Sequence, residues 1–261
     1  MQYIVLDLEF NQDPDSLTSS DSLISSNSSL NNNNLSTKKK YIYEIIQIGA
    51  VKLDENLNLA GTFNRLVKPT IYATISPYIT ELTGITPEKL QSEMDFCHVY
   101  NDFIEFIGDE NTTLCVWGIT DIKTLYKNVS YHHLDETLLP QKYINLQPYA
   151  SVHLGQSRKK LLSLSYCAGA LGIKTGSPFH DAFNDALYTA EIFKILFRPT
   201  IQPDIYNPEA KEIPKRPVRK VLNFPRLIAQ FKKMFSREMT DEEKEIIRLA
   251  YHMGKTGQFL D

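Results

Sequence analysis

The chain has 261 residues, 42% of them hydrophobic and 23% charged, with a formal net charge of −3. That is the make-up of a globular chain able to bury a sizeable core, and it excludes a globally basic nucleic-acid binder. Any polyanionic partner has to be met by local basic patches or by metal ions.

The three cysteines, Cys97, Cys115 and Cys167, are odd in number, scattered and without CxxC spacing. They read as reduced thiols buried in a cytoplasmic protein rather than as a zinc site. The N-terminal apolar run is short, lacks a basic leader and ends in acids, so it is not expected to be a signal peptide. No stretch is long enough to span a bilayer, and no membrane partner is expected.

Residues 3–10, YIVLDLEF, read as a buried strand ending in two carboxylates. Strand side chains alternate faces, so Asp7 and Glu9 project together. Like charges so placed suit a hard divalent cation held by oxygen ligands, although a strand merely reaching solvent would look the same. Residues 13–40 are rich in Ser and Asn, end in Lys38, Lys39 and Lys40, and show no periodicity. They are expected to be a disordered insertion enlarging a hairpin tip.

Residues 42–53 and 59–67 read as two further strands completing an antiparallel meander. Ser76-Pro77 and Thr86-Pro87 start two helices separated by Gly84, the second expected to run to about Ile107. Residues 113–117 read as a strand, Asp121 opens a helix, and 142–146 read as another strand. Residues 147–160 read as irregular and end in Arg158, Lys159 and Lys160. Helices follow at 161–171, stopped by Gly172, and at 181–197. Pro203, Pro208, Pro214 and Pro217 mark a linker. From Lys211 to Arg237 basic residues face one acid, Glu212, a run suited to phosphate contact. Thr240 and Glu243 form a capping box opening a last helix that ends near Gly254.

Asp121 and Asp185 add two acids on other elements, and His180 stands in a loop five residues before Asp185. With these in view the pattern resembles the DEDDh (DnaQ-like) family of 3′-to-5′ exonucleases. The match rests on Asp7-Leu8-Glu9, on Asp121 within VWGITDIKTL, and on HDAFNDALYTA with His180 and Asp185. EIIQIGAV (44–51), LVKPT (66–70) and ELTGIT (81–86) also look like the family. The pair Trp117-Gly118 is nearer the Eri-like and KapD-like branch, which tilts the expected substrate toward RNA.

The resemblance implies a ribonuclease H-like mixed α/β sheet over residues 1–198, with 199–261 as a basic and helical extension. It implies two Mg²⁺ ions, replaceable by Mn²⁺, with Asp7 bridging, Glu9 and Asp185 on the ion that binds the attacking water, and Asp121 on the other. His180 would be the general base. Asp181, which shares a helix face with Asp185, would be a solvated first-turn acid. Leu8 and Phe10 are candidates for contact with the terminal nucleotide, Phe10 by stacking. The implied substrate is single-stranded nucleic acid, RNA favoured over DNA, shortened to nucleoside 5′-monophosphates. A DNA-directed proofreading enzyme and a non-catalytic nucleic-acid-binding regulator are the alternatives.

Overall fold

The computed structural model describes residues 1–12, 42–108, 111–209 and 224–255, apart from the side chains of 252, 254 and 255. The expected disordered insertion at 13–40 lies outside the described residues, as do residues 211–223 of the basic run.

The chain divides into two units, Met1–Ala210 and Lys211–Asp261. The first is built on a sheet of β1 (Gln2–Asn11), β2 (Glu44–Leu53), β3 (Leu59–Leu66), β4 (Thr112–Val116), β5 (Lys142–Asn145) and β6 (Asp204–Ile205), in the order β3-β2-β1-β4-β5-β6. β1 pairs antiparallel with β2 and parallel with β4, so the expected meander and mixed sheet are present.

Alternation along β1 assigns its two faces. Ile4, Leu6 and Leu8 point into a core shared with α3 (Phe96–Ile107) and α4 (Ile119–Tyr131). Tyr3 and Val5 point the other way, against Ala186, Ala190 and Phe193 of α7 (Ala182–Leu196). Asp7 and Glu9 continue this second row past the point where β4 stops, at Val116. The early end of its one parallel neighbour, β4, thus leaves that side of the carboxyl end of β1 open to side chains from the helices that follow.

The helix expected from Pro87 to Ile107 is two helices, α2 (Pro87–Gln91) and α3. The break has a partner. The Lys68 N–H donates to the Met94 carbonyl at 2.8 Å, and Asp95 caps α3 by accepting from the His98 N–H at 3.1 Å. The first half of the stretch expected to be irregular, 147–160, instead forms α5 (Gln147–His153), with Pro148 in its first turn, while 154–160 are irregular as expected. α1 (Pro77–Thr83) starts at the expected place, but Ser76 makes no side-chain cap. Its N–H donates to Asn11 Oδ1 at 3.0 Å, while Asn11 Nδ2 donates to the Thr74 carbonyl at 2.9 Å, tying the entry of α1 to the end of β1.

The first unit extends beyond the expected boundary at 198. β6 pairs antiparallel with β5, and the Tyr206 ring lies 4.6 Å from that of Tyr126. α6 (Leu164–Ala170) completes the α7 side, and Gly172 follows it at φ 69°, the left-handed stop the sequence implied. Cys115 and Cys167 are buried, and all three thiols are free.

The second unit contains α8 (Phe224–Phe235), which sequence reading passed over, and α9 (Asp241–Lys255). The capping box is reciprocal: Glu243 N–H donates to Thr240 Oγ1 at 3.2 Å, and Thr240 N–H to Glu243 Oε2 at 2.9 Å. Among the described residues no helix is long and apolar enough to cross a membrane.

Candidate active site

Four acids meet at the open end of β1. Asp7 and Glu9 arrive on the strand itself. Asp121 comes from the first turn of α4, directly after β4. Its carboxylate receives the N–H of Leu8, a donor left over where the β1–β4 ladder has ended. Asp185 comes from the first turn of α7, packed across the sheet.

His180 joins them from the loop before α7. One ligand atom each from Glu9, His180 and Asp185 lies within 4.8 Å of the others. The imidazole is exposed, whereas Glu9, Asp121 and Asp185 are 9%, 8% and 7% exposed. The loop beneath the histidine is pinned. Tyr188 Oη accepts from the Ser177 N–H at 3.0 Å and donates to the Ser177 carbonyl at 2.8 Å, and the Phe179 ring packs 5.1 Å from that of Tyr188. His180 itself has φ 66°, a conformation costly for a non-glycine residue, and its N–H donates to Asp185 Oδ2 at 3.1 Å.

Burial and mutual repulsion oppose ionisation of the acids in this cluster. Burial, then the charges of Asp121, Asp185, Glu9 and Asp181, hold Asp7 well above the carboxylate range. Burial followed by Asp185, Asp121 and Asp181 raises Glu9 to about 8. Asp121 is raised to about 7 by burial, against the pull of the N–H groups of Asp121 and Leu8. Burial raises Asp185 to about 6, the His180 N–H and charge opposing it. Among the described residues, Asp185 Oδ1 is buried with no hydrogen-bond partner. An orphaned acceptor within a set of converging oxygen donors fits hard divalent cations, and Asp7, Glu9, Asp121 and Asp185 are the residues that would hold them.

A stability measurement follows from these shifts. Each group holds its proton to a higher pH in the native state than at its unfolded value of about 4. The stability of the metal-free protein therefore falls as pH rises from about 4.5 toward 8, and so should its Tm. Mg²⁺ or Mn²⁺ added at pH 8 should raise Tm by several degrees. A Tm that ignores both pH and metal would contradict the reading.

Two expectations are corrected here. Leu8 is 3% exposed and sits in the core on the face opposite Asp7, so its side chain is not presented to a nucleotide. Phe10 is partly exposed, beyond an irregularity in the β1–β2 register, with its ring 5.4 Å from that of Tyr43. Asp181 is not a freely solvated acid: Oδ1 caps α7 by accepting the Asn184 N–H at 2.9 Å, and Oδ2 accepts from Gln47 Nε2 at 3.0 Å. Gln47 and Gly49 stand within EIIQIGAV, a stretch whose local pattern announces no role for either.

A family model described as Exonuclease (RNase T) matches residues 31–193, more than half of the chain. The chain belongs to the DEDDh family of 3′-to-5′ exonucleases. The match begins inside the 13–40 insertion and leaves out β1, which the fold nevertheless places at the centre of the DEDDh sheet. Among curated relatives, a PolC-type DNA polymerase III of Clostridium perfringens is 33% identical over 59% of this chain and 10% of its own length. A probable 3′-5′ exonuclease KapD of Bacillus subtilis is 23% identical over 60% of this chain and 75% of its own. The chain thus spans about a tenth of the PolC-type relatives it matches. The nuclease domain of 3′hExo, a DEDDh family member solved bound to rAMP, shares the fold with a TM-score of 0.60 at 19% identity, covering 79% of this chain and 96% of that one.

Proposed function

We propose that this chain is a divalent-metal-dependent 3′-to-5′ exonuclease that shortens single-stranded nucleic acid, RNA in preference to DNA, releasing nucleoside 5′-monophosphates. The observation that carries the reading is the convergence of Glu9, His180 and Asp185 beside Asp7 and Asp121 at the open end of β1. Divalent ions, Mg²⁺ in the first instance, would supply a nucleophile near neutral pH and offset charge on the attacking and leaving oxygens.

The chain's own groups divide the remaining work. The carboxylates of Asp7, Glu9, Asp121 and Asp185 crowd together and exclude other anions until they are neutralised. The His180 imidazole, exposed on its pinned loop, takes the proton of the attacking water at a ring nitrogen. Asp185 holds that loop through the His180 N–H. Phe10, at the rim, offers a face on which a terminal base stacks. In the second unit α8 carries Arg226, Lys232 and Lys233 with no acid, which supports phosphate contact by that unit.

RNA preference is supported by the pair Trp117-Gly118, which resembles the Eri-like branch. A specific observation favours the DNA-directed alternative: the PolC-type relatives have the higher identity. The experiment that tests the proposal is digestion of matched 5′-labelled RNA and DNA single strands with Mg²⁺. The RNA ladder should shorten faster from its 3′ end, and His180→Ala should slow it by about 10² or more. Faster loss of DNA would favour the DNA reading; binding without shortening would favour a regulator.

A further inference from the structure

We infer that Gln47 is a positioning residue for His180 and Asp185, acting through the N-terminus of α7; the inference rests on the exonuclease reading above. Gln47 lies opposite Glu9 in the β1–β2 ladder and is 3% exposed. Its amide is fully engaged. Oε1 accepts the Ala182 N–H at 3.1 Å, and Nε2 donates to Asp181 Oδ2 at 3.0 Å and to Asn64 Oδ1 at 3.1 Å. Both amide hydrogens and one acceptor are therefore committed, two of the three bonds to the first residues of α7.

Those residues stand between the two groups that matter. His180 precedes Asp181 by one peptide bond, and Asp185 follows it by about one helical turn, the Asp185 N–H donating to the Asp181 carbonyl at 2.9 Å. The left-handed backbone of His180 persists only where its surroundings hold it, and the Gln47 clamp fixes the chain immediately after it. Glycine at position 49, one pleat further along the same face, leaves room for the Ala182 backbone to reach the clamp. An amide is required at position 47 because Asp181 Oδ2 only accepts. A carboxylate there would set like charges against each other beside Asp7 and Glu9.

A reciprocal exchange tests this on the full chain. Gln47→Glu places an acceptor against the Asp181 carboxylate. Asp181→Asn places an N–H donor against the Gln47 amide, while the introduced side-chain oxygen can still cap α7. In the double variant donor and acceptor are interchanged, the bond is restored and net charge matches the wild type. With a 5′-labelled oligonucleotide and saturating Mg²⁺, each single variant should lower kcat about tenfold or more with KM within about twofold. Each should also displace the His180 and Asp185 amide signals in ¹H–¹⁵N spectra. The double variant should recover both readouts.

Single variants with wild-type kcat and unmoved amide signals would overturn the clamp, as would a double variant no better than the worse single. Asp181→Asn, a conservative change at a partly exposed helix cap, keeps the test available where Gln47→Glu folds poorly. A wild-type chain without turnover would sink the exonuclease reading instead, and the amide signals would still decide whether the clamp holds.

Discussion

Asp7→Asn should lower exonuclease turnover by about 10³-fold or more while making the metal-free protein more stable. Both effects have one cause. Asp7 is the acid on which the other charges converge, with burial and Asp121, Asp185, Glu9 and Asp181 all opposing its ionisation. An amide of the same shape removes the repulsion and the oxygen anion together. A thousandfold loss corresponds to about 4 kcal/mol of transition-state stabilisation, the scale expected when a shared metal ligand is lost. The relieved repulsion should raise Tm by a few degrees, about 1 kcal/mol in a domain of this size. Paired melts and single-turnover assays would check it. A variant that is both active and destabilised would mean that Asp7 serves packing rather than chemistry.

Gly49→Ala should damage fold and activity together. Its added Cβ would lie 2.1 Å from the Ala182 carbonyl carbon, 2.2 Å from its oxygen and 2.3 Å from the Phe183 nitrogen. These are backbone atoms, unable to yield as a side-chain tip would. Overpacking in a core commonly costs about 1–3 kcal/mol, and rigid neighbours place this site at the upper end. Tm should fall by roughly 10 °C. Because Gly49 pairs with Asp7 across the ladder, displacement of α7 would move Asp185 and His180 away from the strand acids, and turnover should fall even in the protein that remains folded. A variant melting within about 2 °C of wild type with full activity would show that α7 tolerates the shift.

The alternation of Tyr3, Val5, Asp7 and Glu9 against Ile4, Leu6 and Leu8 made β1 and the shared direction of its acids legible from sequence alone. The row of Ala182, Ala186, Ala190 and Phe193 did the same for α7, all four being buried. Short elements escaped because periodicity needs a longer window than they offer: α5 is 7 residues and α2 only 5. The break before α3 depends on Lys68, in the segment after β3, reaching Met94, a contact no local pattern announces. α8 was missed for a different reason. Phe224, Leu227, Ile228, Phe231 and Phe235 carry a helical stripe, but the lysines and arginines around it dominated the reading.

At the site, the family pattern separated Asp185 from Asp181, which charge and helix spacing alone would treat alike. The structure adds the physical distinction: both Asp181 oxygens are spent on Asn184 and Gln47, whereas Asp185 Oδ1 has no partner among the described residues. Gln47 itself was illegible, since its three bonds reach residues from 17 to 135 positions away.

The most direct test of the central claim is release of product from a 3′-terminally labelled single-stranded RNA, with Mg²⁺ and with chelator, in wild type and Asp185→Asn. Labelled nucleoside 5′-monophosphate should appear from the first turnover and be abolished by chelator and by the substitution. Labelled oligonucleotides, or release that survives chelation, would contradict the claim.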